Sequence, residues 1–290
     1  MELEQHLEWA KELTLEPALQ FAIFALVFGA LEWSFANRRE QPRLRFQWLT
    51  DMGFYWGQHL LWLGVQLYLL VELATVVRPA AGLEHLLDGM PLWGQLALVV
   101  VIGDISTYWF HRVSHQWSFL WRFHQVHHSS PRLDWLAAHR EHPVDGFLTQ
   151  LSMNWPALFV GIELGPLAGF ILFRGVWATF IHTNVRLPLP GLRVLVGAPE
   201  LHHWHHLNVS ETKHNFSNLA PWTDVLFGTY HCPEDQHFEV GLPEHPDKPY
   251  WRWIVDPFLP ASLHANTHYE VEAEDEAGPE ERLAESLVDA

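Results

Sequence analysis

One cysteine, Cys232, stands among 290 residues. That excludes an intramolecular disulfide framework and any thiolate cluster, so a metal bound by this chain is held by nitrogen and oxygen. Excess positive charge is missing as well. The formal charge is -17, and most of it sits at the ends: residues 270–290 carry nine acids against Arg282, and residues 1–16 carry five against Lys11. The body is left mildly acidic, which argues against nucleic acid as a partner. No HExxH, GxSxG elbow, P-loop or GxGxxG turn occurs, so the common metalloprotease, esterase and nucleotide-binding devices are absent. No solenoid-type repeat is present. The N-terminus does not read as a cleavable signal peptide, because it is acidic and its apolar run starts late.

What the chain has in quantity is tryptophan and histidine, 16 and 21 residues, together with long apolar runs. These runs cover 18–33, 59–77, 92–110, 147–164 and 165–181, the last two separated at Gly165-Pro166. A helix crossing about 30 Å of hydrocarbon needs about 20 residues, and Trp flanks the runs as it does at membrane interfaces. Buried helices of a large soluble protein would not usually supply so many. Charge asymmetry agrees. The first connection carries Arg38, Arg39, Arg43 and Arg45, and the second only Arg78 against two acids. The third carries Arg112, Arg122, Arg132 and Arg140, the fourth no basic residue, and Arg186 and Arg193 follow the last run. Basic and non-basic connections alternate, which puts the histidine-rich segments on the cytoplasmic side. From residue 182 onward the chain is polar and reads as a cytoplasmic cap, in which WRWIVDPFL (251–259) suits either the interface or a surface strand or loop.

The histidines fall into stripes. His111 and His115 lie one helical turn apart in WFHRVSH; His124, His127 and His128 share a face in RFHQVHH; His202, His205 and His206 share one in LHHWHH, with His203 pointing away. Asp104 and Tyr108 continue the His111 stripe into the membrane, where an ionisable group needs a partner: a ligating imidazole, or a neighbouring span. A lone histidine is more often a surface or core residue than a ligand. HxxxH followed by two HxxHH motifs on one side of a membrane is a metal-binding pattern. Imidazole suits Zn, Cu, Fe and Ni alike, but eight aimed rings exceed what one tetrahedral ion takes and fit two ions of higher coordination.

GDISTYWFHRVSH, LWRFHQVHHSSPRLDW, REHP (140–143), FIHTN (180–184), LHHWHHLN (201–208) and DVLFGTY (224–230) follow one another over about residues 90–230. In their order and spacing they resemble the fatty acid hydroxylase/sterol desaturase superfamily of integral-membrane di-iron oxygenases. The resemblance implies an all-α integral membrane protein of four to five transmembrane helices, with a cytosolic helical cap carrying a histidine-rich di-metal site. It implies a membrane domain over 18–268, between acidic segments 1–17 and 269–290. Carried over by position, His111, His115, His124, His127, His128, His202, His205 and His206 would bind two iron ions. His182, in FIHTN, matches a further ligand. Some members have another histidine one turn earlier, where this chain has Ala178, so the total is open. Asp104, Tyr108, His142 and Asn184 would support the ligands. His231, His237, His245, His264 and His268 read as surface residues.

The implied reaction uses O2 to hydroxylate or desaturate an unactivated C–H bond of a lipid such as a sterol or fatty acyl chain. A ferredoxin or cytochrome-type donor with its reductase would supply electrons. An ether-lipid-cleaving monooxygenase would use the same site. A membrane metal transporter would instead string ligands along a path through the bilayer, and a zinc-dependent membrane hydrolase would work without oxygen. The acidic C-terminus without a basic retrieval signal points to a bacterial cell membrane.

Overall fold

The computed structural model describes residues 17–82, 86–160, 164–186, 195–208, 212–234, 236–243 and 247–260, with Gly191 and Arg193. The acidic segments expected at 1–17 (up to Pro17) and 269–290, and His245, His264 and His268, lie outside the described residues. Among those described, the protein is all-helical, with only isolated bridges at Ala36–Val185 and Leu207–Val240.

Helix α1 (Pro17–Ser34) is apolar, with only Phe24 and Phe28 buried. Helix α2 (Trp48–Gly57) runs through a π-turn at Gln58–Trp62 into α3 (Leu63–Ala81). The second apolar run therefore starts some ten residues before the expected position 59. The third helix of the bundle, α4 (Leu92–Gln116), starts after Pro91 and carries the His111 stripe beyond its apolar part. A break at Trp117, in extended conformation, turns the chain into α5 (Ser118–His128). The expected fourth and fifth runs form α6 (Pro143–Val160) and α7 (Leu164–His182). By length and composition α1, the helix over Trp48–Val77 and α4 can each cross a membrane, while the apolar part of α7 is shorter, Gly169–His182. Helix α6 falls below that standard because Asp145, Gln150 and Asn154 lie along it.

Helix α6 instead packs inside the bundle. Ala157 and Leu158 join Leu70 and Ala74 of α3 and Val99 of α4 in one buried cluster. The contact with α4 is close enough that a Cβ on Gly103 would lie 2.6 Å from the Met153 carbonyl oxygen, so only glycine fits there. Asp104 and Arg174 then tie α4 to α7 through a 2.6 Å ion pair.

Three short helices make the cap: α8 (Pro199–His205), α9 (Trp222–Phe227) and α10 (Tyr250–Val255). The WRWIVDPFL segment is thus helical, continued by a 3-10 turn over Asp256–Phe258. Trp253 and Tyr250 pack on Phe54 and Val126, while Trp251 and Phe258 stay exposed. Beneath the cap a buried quartet locks the start of α2 to the segment before α6. Asp51 accepts from Arg45 and Arg140, each at 2.5 Å, and Arg45 also reaches Asp134 at 2.6 Å. Two cations and two anions balance there, which is what makes their burial tolerable.

Candidate metal centre

Nine histidines converge where α4, α5, α7 and α8 meet. They form two groups, His111, His115, His124, His128 and His205 in one, and His127, His182, His202 and His206 in the other, with the ligand atoms of each group within 4.8 Å of one another. Helical periodicity explains the division. His124 and His128 are four apart on α5 and point to the first group, whereas His127 is turned by one residue and joins the second. Likewise His205 separates from His202 and His206 on α8. The groups adjoin: the His128 and His206 rings stack at 4.3 Å.

The outward nitrogens are anchored. His111 Nδ1 donates to the Phe216 carbonyl (2.8 Å), His205 Nδ1 to that of His214 (2.9 Å), His182 Nδ1 to that of Ala178 (2.7 Å), and His127 Nδ1 to that of Arg140 (3.2 Å). His124 Nδ1 donates to the Asp145 carboxylate at 2.9 Å. With a proton on Nδ1, a neutral ring turns its Nε2 lone pair inward. Burial, and next the neighbouring imidazoles, hold His127, His128, His202 and His206 well below the usual histidine range, and burial followed by His111 does so for His205. These rings are in the neutral form that binds metal.

The inward nitrogens then face each other. His127 and His182 Nε2 are 3.0 Å apart, His202 and His182 2.8 Å, His206 and His202 3.1 Å, His205 and His128 3.1 Å, and His124 and His115 3.2 Å. For His127 and His182 both Nδ1 protons are committed to carbonyls, so two lone pairs meet with no proton between them. His111 Nε2 is buried without a partner. Such an arrangement calls for cations. With metal–nitrogen bonds of about 2.1 Å, adjacent ligands on one ion lie about 3 Å apart, which matches these contacts. The residues present therefore fit two nitrogen-ligated ions.

Of the residues expected to support the ligands, none bonds a cluster imidazole directly. Asp104 touches no imidazole; it pairs with Arg174 and accepts from Trp222 Nε1 at 3.2 Å, the helix-packing role. His142 donates to the Ile254 carbonyl (3.1 Å) and accepts from Val144 N, pinning α10 to α6. Asn184 bonds Arg38 N and O, each at 2.9 Å, closing the α1 end onto the α7 end. Tyr108 acts at one remove: it bonds Thr229 (2.9 Å), whose hydroxyl donates to Asp224 (2.7 Å). Asp224 also accepts from Phe216 N (2.8 Å) and Ser217 N (2.9 Å), shaping the loop whose carbonyls hold His111 and His205. His203 lies off the site, donating to the Thr183 carbonyl at 3.0 Å. His231 stacks on His214 and His237 is exposed. At Ala178 only the carbonyl serves the site.

Asp145 and Asp224 were not singled out from the sequence. Asp145 follows REHP by two residues and is the lone acid in the first turn of α6; Asp224 opens DVLFGTY.

The fold and site define an all-helical protein with membrane-type apolar helices and two adjoining all-imidazole clusters able to hold metal. Residues 96–229 match the model of the fatty acid hydroxylase family. It is 32% identical over 197 residues to ornithine lipid hydroxylase OlsE of Rhizobium tropici, 65% of this chain and 58% of that protein. Alkylglycerol monooxygenase of Danio rerio is 30% identical over 53% of this chain and 34% of its own length. Delta(7)-sterol 5(6)-desaturase ERG3A of Gibberella zeae is 30% identical over 53% and 44%. The chain thus spans between about a third and three-fifths of these relatives. No solved structure matches it.

Proposed function

We propose that the chain is an O2-dependent di-iron oxidoreductase of the membrane that hydroxylates or desaturates an unactivated C–H bond of a lipid. The observation that carries this reading is the convergence of nine buried imidazoles in two adjoining groups. His111, His115, His124, His128 and His205 would hold one iron, and His127, His182, His202 and His206 the other. Bound iron supplies O2 activation and the one-electron chemistry that a C–H bond demands. In hydroxylation one turnover consumes O2, two electrons and two protons, leaving one oxygen in the lipid and one in water.

The chain's own residues position and shield. Carbonyls and Asp145 fix the ring orientations, and burial of both groups keeps bulk water away. A cavity of about 380 Å³ between α1 and α7, lined by Phe28, Phe173, Val176, Trp177 and Phe180, offers an apolar seat for a lipid chain beside the segment leading to His202. The arginine-rich first connection meets the cap, where Arg38 donates to the Phe238 carbonyl at 3.0 Å. By the positive-inside rule this supports a cytoplasmic site in a bacterial cell membrane. A soluble ferredoxin or cytochrome with its reductase would reach it there.

Similarity to alkylglycerol monooxygenase favours a second reading of the same site, in which a hydroxyl placed beside an ether oxygen cleaves an ether lipid. Transport fits less well, since the ligands cluster at helix ends and line no path. Comparative lipidomics of cells with and without the chain tests the proposal. A lipid gaining one oxygen, or losing two hydrogens, is expected, and depletion of ether lipids would select the second reading. His127→Ala should abolish the product; full activity in that variant, or in protein free of iron, would overturn the assignment.

A further inference from the structure

Where α1 ends, a cavity of about 640 Å³ opens between its last turns, residues 36–43, Trp48, residues 134–136 and Asn184. Two acids line it, and both are engaged. Glu32 Oε1 accepts from Trp135 N (2.9 Å) and Asn184 N (3.0 Å), and Asp134 takes the Arg45 fork at 2.6 and 2.8 Å. The three arginines that line it, Arg38, Arg39 and Arg43, form no ion pair with a carboxylate among the described residues. Arg39 is exposed and makes no bond among the described residues. The Arg43 guanidinium carbon sits over Trp33, 3.6 Å from the ring centroid, a cation–π contact that uses none of its N–H groups on a carboxylate. Arg38 spends one N–H on the Phe238 carbonyl.

The cavity also stands at a particular depth. Trp33, Trp48 and Trp135 ring it as an aromatic belt does, and Trp33, Leu44 and Leu49 around it are 71%, 76% and 78% exposed, a lipid-facing rim. From its floor Ala25 and Gly29, one turn apart, form a shallow groove along α1 towards the membrane centre; a Cβ on Gly29 would meet nothing within 4 Å. Unpaired guanidinium groups above and an apolar groove below match an amphiphile rather than a soluble anion.

We propose that this cavity binds the anionic headgroup of a membrane lipid, a phosphodiester or carboxylate held by Arg39 and Arg43, with the chains lying along Ala25 and Gly29. The site is independent of the oxygenase reading and needs only the membrane placement of α1. Because Asn184 in its wall is two residues from His182, a lipid seated there rests against the flank of the metal centre.

The test uses the full chain in neutral detergent, titrated with phosphatidylglycerol or phosphatidylcholine and followed by thermal stability. Phosphatidylglycerol should stabilise the protein at concentrations where phosphatidylcholine does not. An arginine at an anionic surface is worth roughly fivefold in affinity, so Arg39→Gln should weaken the response about fivefold and Arg39→Gln with Arg43→Gln about 25-fold. Arg43→Lys should bind more weakly than wild type but better than Arg43→Gln. Metal content measured on each variant shows that the fold is kept, and should the double variant fail to fold, Arg39→Gln alone carries the test. Equal stabilisation by inorganic phosphate would make the site a free-anion site and overturn the proposal. So would an equal loss from Arg122→Gln, an exposed arginine outside the cavity, which would reduce the effect to diffuse surface attraction.

Discussion

His124 differs from the other anchored histidines of the cluster in resting on a carboxylate, Asp145, where they rest on carbonyls. A charged acceptor makes the ring a stronger donor to metal and holds it more firmly. Glu141 sits close by, and burial followed by the Asp145 charge pushes its own carboxyl up to about 8, so that it is protonated at neutral pH. Asp145→Ala should lower metal affinity about 10- to 100-fold, read by competition with a chelator. Glu141→Gln tests the companion claim. A carboxyl raised in the fold contributes stability below its unfolded value of 4.5, and this is lost as pH climbs through about 8. The wild type should lose melting temperature across that window, and the glutamine variant should lose less.

Helix faces were the part of the site open to reading from the sequence. The 3.6-residue period puts His111 with His115, and gathers His124, His127 and His128, and His202, His205 and His206, each onto one face; α4, α5 and α8 form over those segments, but His127 and His205 each part from their two neighbours and join the other group. The same period cannot say which acid answers which base across helices. Asp104 could equally have met an imidazole or a cation, and only the approach of α7 selects Arg174. The carbonyls of Phe216 and His214 lie on a loop with no period at all, and their placement depends on Asp224 some eight residues later. Asp224→Asn therefore tests the loop as an element. An amide keeps one acceptor oxygen and turns an NH2 towards a backbone N–H, so the loop should relax. Since His111 and His205 both belong to the five-histidine group, that variant should lose metal from one site preferentially, about one equivalent per chain by elemental analysis. Loss of both equivalents together would mean that the loop serves the whole cap.

Sidedness belongs to the whole molecule, because it depends on every connection at once, and the scarcity of cysteine makes it measurable. Cys232 is the single thiol of the chain; it lies in the cap, partly accessible, with Arg193 Nη1 3.9 Å from its sulfur. A membrane-impermeant maleimide applied to intact cells should leave it unlabelled, and the same reagent on inside-out vesicles should label it, if the cap and its histidine cluster face the cytoplasm. The pH dependence identifies the residue that reacts. Burial pushes the Cys232 thiol up, only partly offset by Arg193, and the thiolate is the reactive form. Labelling in vesicles should therefore be slow at neutral pH and still accelerating at alkaline pH where an ordinary thiol has levelled off. Arg193→Gln removes the cation that favours the thiolate and should shift that rise further upward. Rapid labelling from outside intact cells would reverse the topology and place the arginine-rich first connection on the outer face, against the charge rule on which the cytoplasmic electron supply rests.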